Sequence, residues 1–233
     1  LVRTLSDFGV RSDPPTHPAL LDELATYLVD NRWSLKRLHR EILLSAAYRQ
    51  ASAERPEGVK LDPDNRWYWR MNARRLDFET LRDTLLDAAG SLDRRLGGPP
   101  LQLLGDAIVP RRSIYGFIDR MDVPSLLTTF DFPNPSQSNP LRDQTTVAPQ
   151  ALYLMNNNVI AELATRVVHR PDVAAVSDPA ARVARLFEIL FSRRPSAGQQ
   201  QRSLAFLGAQ PDAEAWRRLA HALLLTNEFV FID

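Results

Sequence analysis

The segment from Phe130 to Asn157 constrains the fold more than any other. Pro133, Pro135 and Pro140 punctuate the polar run between Phe132 and Thr145. Each proline fixes its own φ, removes a backbone donor and pushes the residue before it toward extended geometry. The run therefore reads as a stiff, non-helical connection. An apolar segment ends before it at Phe130-Asp131-Phe132, and Val147-Ala148-Pro149 opens an apolar helical pattern after it. A loop of this length inside a compact domain either carries function or packs as its own small unit. Its charged members are Asp131, Arg142 and Asp143. As a binding loop, it would offer Arg142 to an anion or carboxylate. As a structural loop, it would pair Arg142 and the carboxylates with one another or with backbone.

Helical periodicity dominates the rest. Leu20, Leu21, Leu24, Tyr27 and Leu28 keep one face, after Thr16 as the expected cap and Pro18 in the first turn. Ser34 caps a second amphipathic helix carrying Leu35, Leu38, Ile42 and Leu43, and the short turn between the two predicts a hairpin. Residues 54–65 read as a polar linker, and the dense aromatics Trp67, Tyr68 and Trp69 as core. Asp77 caps a third helix, with Gly90 either its end or an interior glycine and residues 91–96 a continuation. The one strand signal is 113–118, weakened by Gly116, with 101–104 or 107–109 as its partner. A short helix starts near Pro124. Later caps are Ser177 or Asp178, Ser196 and Asp212, and Asn156-Asn157-Asn158 interrupts the helical pattern that begins at Pro149. The expected fold is mainly α: helix hairpins packed as an orthogonal or irregular bundle, with at most one small β element. A single domain over 1–233 is expected, with Gly97-Gly98-Pro99-Pro100 as the place where it would divide. Leu1 opens directly into a patterned segment, so the chain is expected to be a fragment of a longer protein.

Composition excludes several chemistries. With 44% hydrophobic and 24% charged residues the chain is globular rather than disordered. A formal net charge of +1 argues against nucleic-acid binding. The absence of cysteine removes disulfides, thiolate metal sites, a cysteine nucleophile and covalently attached haem from this chain. No apolar run is long enough to span a membrane. There is no glycine-rich phosphate loop, no helical zinc-protease motif and no nucleophile elbow, so no catalytic residue and no metal ligand is expected. Asp77 and Glu79, considered as an acid–base pair, are two residues apart and are expected to point away from each other on a helix. His17 stands out among the four histidines because Arg11 and Asp13 accompany it at a helix N-terminus. Were the two proline-stiffened loops to meet, Arg11, Asp13, His17, Asp131 and Arg142 would line one polar site. The alternative is two separate loops, each satisfied locally.

An ordered set of segments carries a family resemblance: SDFGVRSDPPTHPALLDELA, WSLKRLHREILLSAAYRQ, DPDNRWYWRMNARRLDFETLRD, RRSIYGFI, FDFPNPS, TTVAPQALYLMNN and the terminal NEFVFID. Together they resemble the C-terminal domain of unknown function found in planctomycete cytochrome c-associated multidomain proteins of the PSD type. The resemblance implies a periplasmic or secreted location, a c-type haem held by an upstream module and none in this chain, and the upstream domains as partners. It implies no catalytic residue. The function expected is that of a non-catalytic interaction or docking module. The alternative is a glycan-binding or glycan-processing domain, or another small-molecule site, built from the polar loops.

Overall fold

Short oxygen-bearing side chains start most of the long helices, each supplying an acceptor to a backbone N–H that lacks a helical partner. The computed structural model describes residues 1–7, 9–105 and 107–232. The fold is mainly α with one small two-stranded sheet, and the chain divides into two compact units, 1–74 and 75–232.

The N-terminal unit contains α1 (Pro18–Asp30), α2 (Leu35–Leu44) and α3 (Pro56–Leu61). Ser34 caps α2 by accepting from the Arg37 N–H. The first two helices pack as the expected hairpin, and their turn places Arg32 and Trp33 in left-handed backbone, at φ +55° and +59°. Thr16 does not cap α1; His17 occupies the position and makes no side-chain cap bond. The supposed linker contains α3, started by Pro56 where a missing N–H costs nothing. No residue of α1, α2 or α3 is buried. Among the described residues of this unit the buried ones are polar, Asp62 and Asn65. Trp67 is exposed, and Tyr68 and Trp69 are half-buried, so the aromatic cluster does not form the core expected of it. It instead surrounds a turn that Asp62 and Asn65 hold from within.

The second unit runs through α4 (Phe78–Ala88), α5 (Ser125–Thr129), α6 (Ala148–Asn156), α7 (Asn158–His169), α8 (Pro171–Ala174), α9 (Pro179–Phe191), α10 (Ala197–Leu207), α11 (Ala213–Leu224) and α12 (Asn227–Val230). The sheet pairs β1 (Arg74–Arg75) with β2 (Phe231–Ile232). Asp77, Asp178, Ser196 and Asp212 each cap their helix through the N–H three residues on. Asn157 ends α6 and caps α7, which breaks the helix where the weak helix formers lie. The apolar faces of α4, α7, α9 and α11 meet in one core around Leu81, Leu163, Val167, Leu186 and Leu224, with Phe130 fully buried beside them.

Two expectations fail for local reasons. Gly90, at φ +65°, closes α4: its N–H bonds the Asp87 carbonyl and the Ser91 N–H bonds the Leu86 carbonyl, the paired bonds of a left-handed helix terminus. Residues 91–96 therefore do not continue the helix. Residues 113–118 are not a strand. Ser113–Tyr115 forms a 3-10 turn, and only a single parallel bridge joins Leu101 to Gly116. Gly97–Pro100 lies within the second unit and is exposed.

Candidate functional site

The polar side of α4 faces a cleft of about 930 Å³, walled also by 102–104, 112–118 and Phe132. The helix buries Phe78, Leu81, Leu85 and Leu86 and so turns Glu79 and Asp83 away from the core, while Arg82 lies on the buried side with its side chain 12% exposed. Arg82 donates to the Arg111 carbonyl at 2.9 Å, to the Ser113 hydroxyl at 3.3 Å and to the Val109 carbonyl. Burial lowers its pKa, with Asp83 and Tyr153 opposing. Asp83 Oδ1 accepts from both the N–H and the hydroxyl of Ser113, at 2.7 and 2.8 Å. These bonds fasten the irregular segment 109–113 to α4.

Arg142 closes the end of the cleft. It bonds Glu79 in a two-pronged pair at 2.9 and 2.8 Å and lies 3.3 Å from Asp77. The hydrogen bond to Glu79 is the main cause that raises its pKa. Asp77 and Glu79 thus converge on one cation, contrary to the expectation that they point apart. Asp77 is the cap, with extended backbone (φ −66°, ψ 160°), and helix-face geometry does not govern its side chain.

Asp131 holds the start of the same loop. Its Oδ2 accepts from Arg75 Nη2 at 2.7 Å and from the Thr145 N–H at 2.8 Å, and its Oδ1 from the Thr145 hydroxyl at 2.7 Å. Arg75 is buried and also donates to the carbonyls of Thr145 and Leu76. Desolvation opposes ionisation of Asp131, but the Thr145 donors and Arg75 outweigh it and hold the carboxyl below its ordinary value. The proline loop is thus tied at both ends by ion pairs within the second unit.

Arg11, Asp13 and His17 belong to the N-terminal unit. Arg11 ends a 3-10 turn, Gly9–Arg11, and is exposed. The Asp13 N–H donates to the Thr4 hydroxyl at 2.8 Å. The His17 ring lies over Tyr68, with centroids 5.1 Å apart and planes at 17°, and its Nδ1 is 2.9 Å from the Thr16 hydroxyl. His221 contacts the Leu154 carbonyl through Nε2 at 3.1 Å, and His169 the Thr165 carbonyl through Nδ1 at 2.8 Å. Among the described residues no group of three His, Cys, Asp or Glu is placed to hold a metal ion, and no helix is long and apolar enough to cross a membrane.

Sequence reasoning missed Arg75, Glu79, Arg82 and Ser113 as members of this polar framework. Their partners across the fold stand 27 or more residues away, and no local spacing marks them. Together these features define a mainly helical fold with a cleft whose central charges are committed to the protein itself. The chain belongs to the family described as a protein of unknown function, DUF1553 (PSD1), which it matches over residues 1–207. No curated protein and no solved structure matches it. The match stops at the end of α10, while α11, which packs against α7, α9 and α10, completes the core beyond it.

Proposed function

We propose that this chain is a non-catalytic interaction module of a larger extracytoplasmic, cytochrome c-containing protein, and that it docks on upstream domains of its own polypeptide. The observation that carries the reading is the α1–α2 hairpin. It buries none of its residues, and Leu20, Leu21, Leu35, Leu43 and Leu44 are all exposed on it. Exposed leucines in this number on one hairpin support an interaction role. The commitment of Arg82, Asp83, Glu79 and Arg142 to one another and to backbone supports the non-catalytic part, because none of the four is left as a free acid or base. The location and the cytochrome partner rest on the family resemblance. Haem, on this reading, belongs to the upstream module, since the chain has no cysteine to hold it.

Titration calorimetry of this chain against a separately produced upstream segment tests the proposal. Saturable binding is expected, weakened at least tenfold by Leu35→Glu combined with Leu44→Glu. No heat of binding, or binding indifferent to the double change, refutes it.

A second reading rests on the cleft. Fixed carboxylates and guanidinium groups stand there beside the partly exposed ring of Phe117, a combination suited to hold a sugar face and its hydroxyls. Glycan-array binding lost on Phe117→Ala would favour it.

A further inference from the structure

We infer, taking the α1–α2 hairpin as the docking surface proposed above, that the face it meets is a protein surface of two charge signs. That face sets carboxylates against α2 and basic side chains against α1.

Three observations define that partner. The first is segregation. α1 contains Asp22, Glu23 and Asp30 and no lysine or arginine, whereas α2 contains Lys36, Arg37 and Arg40 against one carboxylate, Glu41. Lys36, Arg40 and Leu44 follow one another a turn apart, so the cations share a side of α2 with one of its exposed leucines. Asp22, Thr26 and Asp30 are spaced in the same way on α1. All six residues are exposed. Glu23 and Glu41 line the cavity that the Leu1 ammonium also lines, and take no part here. The second observation is the lack of opposite charge. Among the described residues the side chains of Asp22, Asp30, Lys36 and Arg40 make no ion pair or hydrogen bond, and Arg37 reaches the neutral Asn31 oxygen at 3.0 Å. Helices of the second unit behave differently: Glu162–Arg166, Arg185–Glu188 and Glu214–Arg217 each pair within one helix. The third is sign. Asp30 lies in the last turn of α1, and Lys36 and Arg37 lie in the first turn of α2. Each opposes the dipole of its own helix, and Lys36 repels Arg40 one turn on. Charges that weaken their own helices, with no opposite charge beside them in the chain, mark a site that meets its complement elsewhere. The carboxylates of α1 argue against a polyanion: a nucleic acid or anionic bilayer drawn to α2 would be repelled by α1. A protein face can offer both signs in register. Trp33, 70% exposed in the turn between the helices, adds a large apolar anchor beside the two strips.

The test is a charge swap, Asp30→Lys with Lys36→Glu. It keeps the formal net charge at +1 and gives each helix end the sign its dipole favours. The melting temperature of the chain should therefore hold or rise. Affinity for the separately produced upstream segment, read by titration calorimetry, should fall at least about tenfold, because like charges then meet across the interface. Wild-type affinity should also fall at least about tenfold between about 50 and about 300 mM salt, as the facing charges are screened. Saturable binding that ignores both the swap and the salt overturns the two-signed face while leaving the hairpin as a docking surface. No binding at all overturns both. A swap that lowers the melting temperature makes the two charges structural, and a wild-type dimer in sedimentation that the swap dissociates makes a second copy the occupant. Either result overturns the inference.

Discussion

Asp131 receives Arg75 Nη2 at 2.7 Å while its own backbone sits at φ +61°. Both side chains of the pair are nearly buried, at 6% and 9% relative exposure, and the carboxylate also holds both donors of Thr145. One residue thus makes the turn at the end of α5 and joins the two ends of the proline loop. Removing it would strand a buried guanidinium. Asp131→Ala is expected to destabilise the second unit by about 3–5 kcal/mol in urea unfolding, the cost of an orphaned buried charge. Asp131→Asn should cost distinctly less, because asparagine tolerates left-handed backbone and keeps an acceptor. Equal losses for the two variants would show that the ion pair is not what holds the loop.

The same carboxylate predicts a pH dependence. Asp131 has its pKa lowered from the ordinary 3.8, burial being outweighed by Thr145 and Arg75. Asp172 is lowered further, chiefly by hydrogen bonding to Arg170 and then by Arg185, against desolvation. A group whose folded pKa is depressed stabilises the fold above its unfolded pKa and loses that contribution as pH falls through the folded value. The denaturant midpoint of the second unit should therefore be steady from pH 7 to about 5 and fall below about 4. Asp131→Asn should narrow the gap to wild type as pH drops. A gap that stays constant down to pH 2 would exclude a linked Asp131.

Arg142 was expected either to bind a ligand or to hold its own loop, and its pair with Glu79 defines how the holding works. A double-mutant cycle between Arg142→Ala and Glu79→Ala should return a coupling of about 1 kcal/mol, as for a well-aligned, partly exposed two-pronged pair. Coupling near zero would show that the pair with Glu79 is not what holds this end of the loop.

Local chemistry in this chain was legible and distant chemistry was not. Ser34, Asp77, Asp178, Ser196 and Asp212 announce their helices because a cap acts over three residues. The hairpin of α1 and α2 follows from periodicity and a short turn. By contrast α3 and α8 hide behind Pro56 and Pro171, which read as breakers yet occupy first turns. Residues 113–118 are rich in β-formers, but their backbone pairs at one point only, Leu101 with Gly116, so tertiary context overrides propensity. The two ties of the central loop join residues 56 and 63 positions apart. The aromatic run at 67–69 misled for a related reason: its organising residues are the buried Asp62 and Asn65, whose bonds to neighbouring backbone leave no hydrophobic signature.

Two glycines in helices separate backbone propensity from packing. An alanine normally stabilises a helix interior by about 0.5–1 kcal/mol relative to glycine. At Gly198 in α10 an added Cβ would lie 3.4 Å from Arg202 Nη1, the movable tip of a long side chain. Gly198→Ala is therefore expected to raise stability by about that amount. At Gly58 in α3 the same atom would lie 2.6–2.8 Å from three atoms of the Trp69 indole. That ring is held: its Nε1 donates to the Asp62 carbonyl at 2.9 Å, and the guanidinium groups of Arg55 and Arg70 lie 5.6 and 5.2 Å from it. It cannot withdraw without breaking these contacts, so overpacking should win over propensity by about 1–3 kcal/mol. Gly58→Ala should thus lower the stability of the N-terminal unit, with a shift in tryptophan emission as Trp69 moves. A neutral or stabilising Gly58→Ala would mean that the Trp69 ring does not rest on α3.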